Sequence, residues 1–220
     1  MRSGPLLREA VGFHVLFGLA AAGLLWLMPA SSYGLALLLA ALLYNLGLPL
    51  YSLMRGHVDW LLLWLFLLPL SCAQLLADWA LVDLAGTLVF PDHGAYRVGG
   101  AVPIYFAGLW VMLLFPIALI ADHAGRLRYA VAGLLGLLLF AFWEWAAAPL
   151  ALWQAQNVRT LDGMALYPLI PETLLAMSSL WMYRLTRSHG LLASVCGSLM
   201  VSVFYAGALF LSLLLFRHHG

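Results

Sequence analysis

The sequence predicts an all-α, polytopic transmembrane bundle of seven helices, N-terminus inside and C-terminus outside. Three observations carry this: 65% of the 220 residues are hydrophobic and only 9% charged, mean hydropathy is +1.00, and apolar runs of spanning length recur along the whole chain. The same composition excludes other classes. Two cysteines do not make a disulfide scaffold, and a net charge of +1 without a basic patch excludes a nucleic-acid partner. All ten basic residues are arginine, so a retinal-type Schiff base, which needs a lysine amine, is excluded as well.

A span takes about 20 apolar residues at about 1.5 Å rise each. The first segment, residues 10–28, follows Arg8. It is longer than a signal-peptide core of about 7–15 residues and ends without a small-residue cleavage site, so it reads as a retained helix. The next six segments are 33–54, 59–84, 100–121, 129–148, 168–185 and 190–216. No repeat or soluble linker separates them, which predicts one domain over 1–220. Two connections are long, VFPDHGAYRVG at 89–99 and PLALWQAQNVRTLDGMALY at 149–167, and alternate crossing puts both on one side.

Arginine counting orients the chain, because cytoplasmic loops collect positive charge. An inside N-terminus places Arg2, Arg8, Arg55, Arg126, Arg128, Arg184 and Arg187 inside, and only Arg97, Arg159 and Arg217 outside. The long connections are then external, which for a bacterial inner-membrane protein means periplasmic. Tyr33, Trp60, Trp79, Tyr129, Trp143, Trp145 and Tyr167 stand near segment ends, as an interfacial aromatic belt would.

Acids inside a span need a reason, since a charge at a helix centre costs about 2.5–3.5 kcal/mol on insertion scales. Glu9, Asp59 and Asp122 lie at inner ends, and Asp92 and Asp162 in outer connections. Four remain: Asp78 and Asp83 in the third segment, Glu144 in the fifth and Glu172 in the sixth. By helical rise they lie about 28 and 36 Å from Asp59, about 22 Å from Tyr129 and about 6 Å from Pro168, all in the outer half. Three helices thus bring carboxyls to one level. Asp78 and Asp83 are five residues apart, about 140° around a helix, so one faces the others, and the Asp83-Gly86 neighbourhood favours Asp83. The competing expectation is that each acid snorkels, caps a helix or pairs with Arg97 or Arg159.

Other chemistries lack their residues. His14 is the only histidine within a span, Cys72 and Cys196 read as small buried apolar residues, and no metal or cofactor motif occurs. No cofactor is expected. Small-residue runs at 20–23, 133–136 and 206–208 predict close helix approach.

A carboxylic acid enclosed by hydrocarbon and indole rings keeps its proton, because the ionised form is poorly solvated there. It can protonate an isoprenoid double bond, and aromatic faces stabilise the carbocation until water or a second alkene captures it. In this reading Glu144 is the first candidate acid, with Asp83, Glu172 and Asp78 as further acids. Trp79, Tyr105, Trp110, Trp143, Trp145, Trp153 and Tyr167 would hold substrate, with Asn157 and Gln154 near a water. The partners expected are the lipid bilayer and a hydrophobic isoprenoid-type substrate.

The stretch LVDLAGTLVFPDHGAYRVGGAVPIYFAGLWVMLLFP within residues 79–116 resembles the membrane carotenoid hydratases. The resemblance falls on Asp83, Gly86, Phe90, Pro91, Tyr96, Pro103 and Trp110. WEWAAAPLALWQ and GMALYPLIPE are similar to a second acid, proline and tryptophan stretch of that family, at Glu144, Pro149, Trp153 and Gly163. Pro171-Glu172, followed here by Thr173, is similar to the proline-glutamate motif of the small lycopene cyclases. The resemblance implies hydration or cyclisation of a carotenoid or terpenoid. The alternative is a small carrier or assembly subunit whose acids bind protons or cations. A carrier needs the polar path to continue inward, where the sequence offers only Asn45, His14 and Gln74.

Overall fold

In hydrocarbon every backbone N–H and C=O must find its partner within the chain, and each of the seven apolar segments does so as a helix. The computed structural model describes residues 3–217, so Arg2 lies outside the described residues. The helices are α1 (Ser3–Leu27), α2 (Tyr33–Arg55), α3 (Val58–Trp79), α4 (Phe106–Asp122), α5 (Arg128–Leu150), α6 (Leu169–Thr186) and α7 (Gly190–Phe216). Five helical stretches, those built on α1, α2, α3, α5 and α7, are long and apolar enough to cross a membrane. The chain is an integral, multi-pass membrane protein. The 17-residue α4 is the central element, with both faces covered: Leu109, Trp110, Val111, Leu114, Phe115 and Ile117 are all buried.

Two segments differ from expectation. The third ends in a π-helical turn, Ala80–Ala85, closed by Gly86 at φ 63°. The fourth begins at Phe106 and not at residue 100, because strand β2 (Arg97–Val98) folds back on β3 (Val102–Pro103). The remaining strands join the long connections. β1 (Leu88–Val89) pairs antiparallel with β4 (Gln154–Ala155), setting Leu88 opposite Ala155, while β5 (Thr160–Leu161) and β6 (Met164–Ala165) form a hairpin. That hairpin turns on Asp162 and Gly163, at φ 50° and 84°, the left-handed pair that a two-residue hairpin loop requires. The Arg97 guanidinium donates to the carbonyls of Phe90, Pro91 and Ala101. His93 bridges the carbonyls of Ala30 and Ala151. A bridge between Val158 and Arg217 ties the end of α7 to the same cap.

The opposite end holds all the ion pairs found among the described residues. Glu9 meets Arg55 and His57, and Asp122 meets Arg128, Arg184 and Arg187. Within the bundle, Asn45 on α2 donates to the carbonyls of Ala41 and Gly108 and accepts from the Trp64 indole, a fully paired polar knot between α2, α3 and α4. His14 is closed by the Ala10 carbonyl and the Tyr44 hydroxyl.

The small-residue runs divide. Gly133 and Gly136 face α6, and a Cβ at Gly136 would stand 2.7 Å from that of Ala176, whereas Gly23 and Gly207 face open space. Cys72 and Cys196 are exposed rather than buried, because both lie on outward helix faces, where lipid accepts a thiol as readily as a core does. The contrast between the glycines gives a test. Gly136→Ala is expected to destabilise the bundle by about 1–3 kcal/mol through overpacking. Gly207→Ala is expected to be neutral or to stabilise by up to about 1 kcal/mol through helix propensity. Thermal unfolding in detergent reads both signs.

Candidate functional site

Beneath the β1–β4 cap, the outer ends of α3, α4, α5, α6 and α7 enclose a chamber lined by Asp78, Glu144 and Glu172. Each carboxyl arrives for a local reason. Asp78 is the penultimate residue of α3, on the face that also carries the buried Ser71 and Gln74. Glu144 projects from α5 between Phe140 and Ala147, which are both buried. Glu172 lies in the first turn of α6, where the helix dipole favours an acid, and the glycine seam against α5 lets it approach Glu144. Asp78 and Glu172 are 5% and 4% exposed. Glu144 is half-buried, the most exposed of the three.

The walls are aromatic. Trp110 packs against Phe140 and Tyr205 at centroid distances of 5.6 and 5.7 Å. Trp153 lies 5.8 Å from Phe106 and 6.2 Å from Trp143. The Trp153 indole N–H donates to Glu144 Oε1 at 3.1 Å. Tyr167, in the connection before α6, lines the chamber, and burial pushes its phenol above the ordinary range, so it remains an O–H group.

Polar supply exceeds polar demand inside this space. Asp78 Oδ2, Glu172 Oε2 and the indole nitrogens of Trp110 and Trp143 are buried without a partner among the described residues. Buried polar groups are almost always paired, so four orphans around one cavity mark a place that meets a ligand or ordered water. None of the three carboxyls forms an ion pair among the described residues. Arg97 is committed to three carbonyls, which removes the expectation that it neutralises a nearby acid. The cavity measures about 50 Å³, room for a few water molecules.

Seven of the residues singled out from sequence line the chamber: Asp78, Glu144, Glu172, Trp110, Trp143, Trp153 and Tyr167. Tyr105 is buried beside it, stacked on Phe106. Five others lie outside. Asp83 is exposed, because α3 delivers Asp78 to the interior and the π-helical turn carries the next acid to the outer surface. Trp79 is 37% exposed against the Gly99 turn, and Trp145 is 58% exposed beside Phe142. Asn157 is exposed at φ 57° and donates to the Gly86 carbonyl, bracing the two connections rather than holding a water. Gln154 is exposed on β4. Conversely, Trp60, Trp143 and Tyr167 belong to the interior and not to an interfacial belt.

Phe90, a residue of the family resemblance, lines the chamber too, as do Tyr205, Phe140 and Phe106, which the sequence did not single out. Tyr205 had a signal: with Ser198 and Ser202 it follows an i, i+4, i+7 spacing on one face of an otherwise apolar α7.

A family model described as a domain of unknown function, DUF6989, matches residues 75–216, which takes in all three chamber carboxyls and leaves out α1 and α2. No curated protein and no solved structure matches the chain.

The Trp153–Glu144 bond can be measured directly. Trp153→Phe and Glu144→Leu, singly and together, are expected to give a coupling of about 0.5–1.5 kcal/mol in a double-mutant cycle of unfolding free energy. Strict additivity would deny the bond.

Proposed function

The chain belongs to the DUF6989 family, and from its own chamber we propose that it is an integral-membrane enzyme protonating a double bond at one end of an isoprenoid lipid, giving hydration or cyclisation. The observation that supports this is the meeting of Asp78, Glu144 and Glu172, from three helices, in one aromatic-walled cavity. An acid without a basic partner, held in a poorly solvating site, is a proton donor to a weak base such as an alkene.

The steps balance with these residues alone. Glu144, the most exposed of the three acids, gives its proton to one alkene carbon, and the electron pair of the double bond forms the new C–H bond. The adjacent carbon becomes a cation, faced by the rings of Trp110, Trp143 and Trp153. Water then adds through oxygen and returns a proton to a carboxylate, for a net gain of one water. Alternatively a second double bond closes a ring and a neighbouring C–H proton returns to carboxylate, for no net change in composition. Asp78 and Glu172, with their unpartnered oxygens, orient the water or take the returning proton. A cavity of about 50 Å³ admits a chain terminus rather than a whole polyene, so the body of a carotenoid or terpenoid substrate lies in the bilayer.

The geometry favours this over a carrier. Inward of Asp78, the Gln74 amide donates to Ser202, whose hydroxyl turns to the carbonyls of Leu70 and Ser198, so that only Gln74 Oε1 is left unpaired along this stretch of α3. Asn45 and His14 are saturated within their own helix contacts. The arginine bias supports a chamber on the external side.

The test is turnover of linear prenyl or carotenoid substrates in proteoliposomes prepared in heavy water. Product carrying one solvent deuterium is expected, with yield falling by about 10²–10⁴-fold in Glu144→Gln and substantially in Asp78→Asn and Glu172→Gln. Asp83→Asn keeps near-wild-type yield. Unlabelled product, or unchanged yield in all three chamber variants, would remove the proposal.

A further inference from the structure

At the end of the bundle opposite the acid chamber lies a second cavity of about 340 Å³, between the α2–α3 turn and the ends of α3, α4 and α6. Its walls carry both signs of charge, Asp59 and Asp122 on one hand and Arg187 on the other, together with the rings of His57 and His123. Much of this polarity is already spent. Asp122 is engaged by Arg184 and Arg128, His57 Nε2 by Glu9 at 2.8 Å, and His123 Nδ1 by the Leu119 carbonyl.

Three groups remain uncommitted. Asp59 has no side-chain partner among the described residues, since Tyr183 donates to its backbone carbonyl instead. Arg187 stands 3.9 Å from Asp122, a loose pairing, with its guanidinium 5.7 Å over the Tyr183 ring, so most of its N–H donors stay free. Trp60 is 1% exposed and lines the cavity, yet its indole N–H has no partner among the described residues. Its ring is held between His57 at 4.8 Å and Phe115 at 5.9 Å, so the N–H cannot swing away to find one.

That inventory selects the ligand. A lone anion would face Asp59 and Asp122, and a lone cation would face Arg187 with Arg184 and Arg128 behind it. No group of three or more His, Cys, Asp or Glu side chains converges as a metal site among the described residues. A dipolar ligand satisfies both walls. The apolar Leu63, Ala118 and Leu119 complete the lining, and the cavity opens at the helix ends, where lipid headgroups lie. We propose that this cavity binds a primary-ammonium phosphodiester, the headgroup of an aminophospholipid, with phosphate on Arg187 and ammonium on Asp59. His57, Asp59 and Trp60 precede the family match at 75–216, so the site is independent of the chamber and of any activity there.

The full chain in detergent, stripped of lipid, is offered phosphatidylethanolamine, phosphatidylglycerol and phosphatidylcholine in equal amounts, and bound lipid is read by native mass spectrometry. Phosphatidylethanolamine is expected to be retained at least about tenfold over the other two, the scale of a charged hydrogen bond. Phosphatidylcholine tests this bond, since its methylated nitrogen cannot donate to Asp59. Asp59→Asn brings the three lipids to near equality, and Arg187→Gln weakens all of them. Asp83→Asn, at the far end, changes nothing. Soluble phosphoethanolamine that displaces the lipid shows that the headgroup suffices, and failure to displace it shows that the acyl chains share in the binding. Equal retention of the three lipids by the wild type, an unchanged preference in Asp59→Asn, or unchanged retention in Arg187→Gln overturns the proposal.

Discussion

Hydrocarbon gives a polar group nothing to bond to, and the arrangement of this chain follows from where that cost is met and where it is left standing. Backbone groups are closed by helices and a small β cap. Single polar side chains within the bundle are closed one by one, as Asn45 is by Ala41, Gly108 and Trp64. Charges are gathered at one end, where Glu9 and Asp122 each serve several partners. Closure is least complete around the acid chamber: among the described residues two carboxyl oxygens and two indole nitrogens there are unpaired, against single atoms of Trp60, Gln74 and Ser179 elsewhere. A protein that satisfies Asn45 so completely does not leave four such groups together without consequence.

The cap explains how the chamber persists. β1 and β4 are only two residues each, too short to be stable alone, but they are braced from several directions. Arg97 gathers three carbonyls of its own connection, His93 reaches the α1–α2 turn and the end of α5, and Asn157 reaches Gly86. These bonds set Phe90 and Trp153 as the chamber roof. The external arginine nearest the acids is therefore used for architecture. Its guanidinium, once spent on carbonyls, leaves the carboxyls without a counterion, which proton-donor chemistry requires.

The two ends of α3 do different work. Its beginning, with Asp59 and Trp60, borders a roomy cavity of mixed charge at the water interface. Its end, with Asp78, borders a narrow one that holds acids and aromatic rings. Between them Gln74 donates to Ser202, which turns to helix carbonyls, while Gln74 Oε1 stays unpaired. The π-helical turn that follows shifts the helical phase, which is why Asp78 and Asp83 part company.

Helix number, order and approximate bounds were legible in the sequence because length and hydropathy alone decide whether a segment can span a bilayer. So was the presence of acids at one depth, since rise per residue is constant, and Glu144, Glu172 and most of the tryptophans followed from it. Rotation about a helix axis was not legible: α-helical spacing alone could not decide between Asp78 and Asp83, and only packing against α4 and α7 together with the π turn turned one inward. Connections defied prediction for a related reason. Whether Asn157 held water or Gly86, or Arg97 an acid or three carbonyls, depended on strand pairings between residues some 65 apart in sequence, such as Leu88 and Ala155. The sequence by itself determined what must be buried and how deep, through one-dimensional transfer energetics. The tertiary structure decided which buried groups meet, because that depends on azimuth and on long-range contacts that no local pattern records.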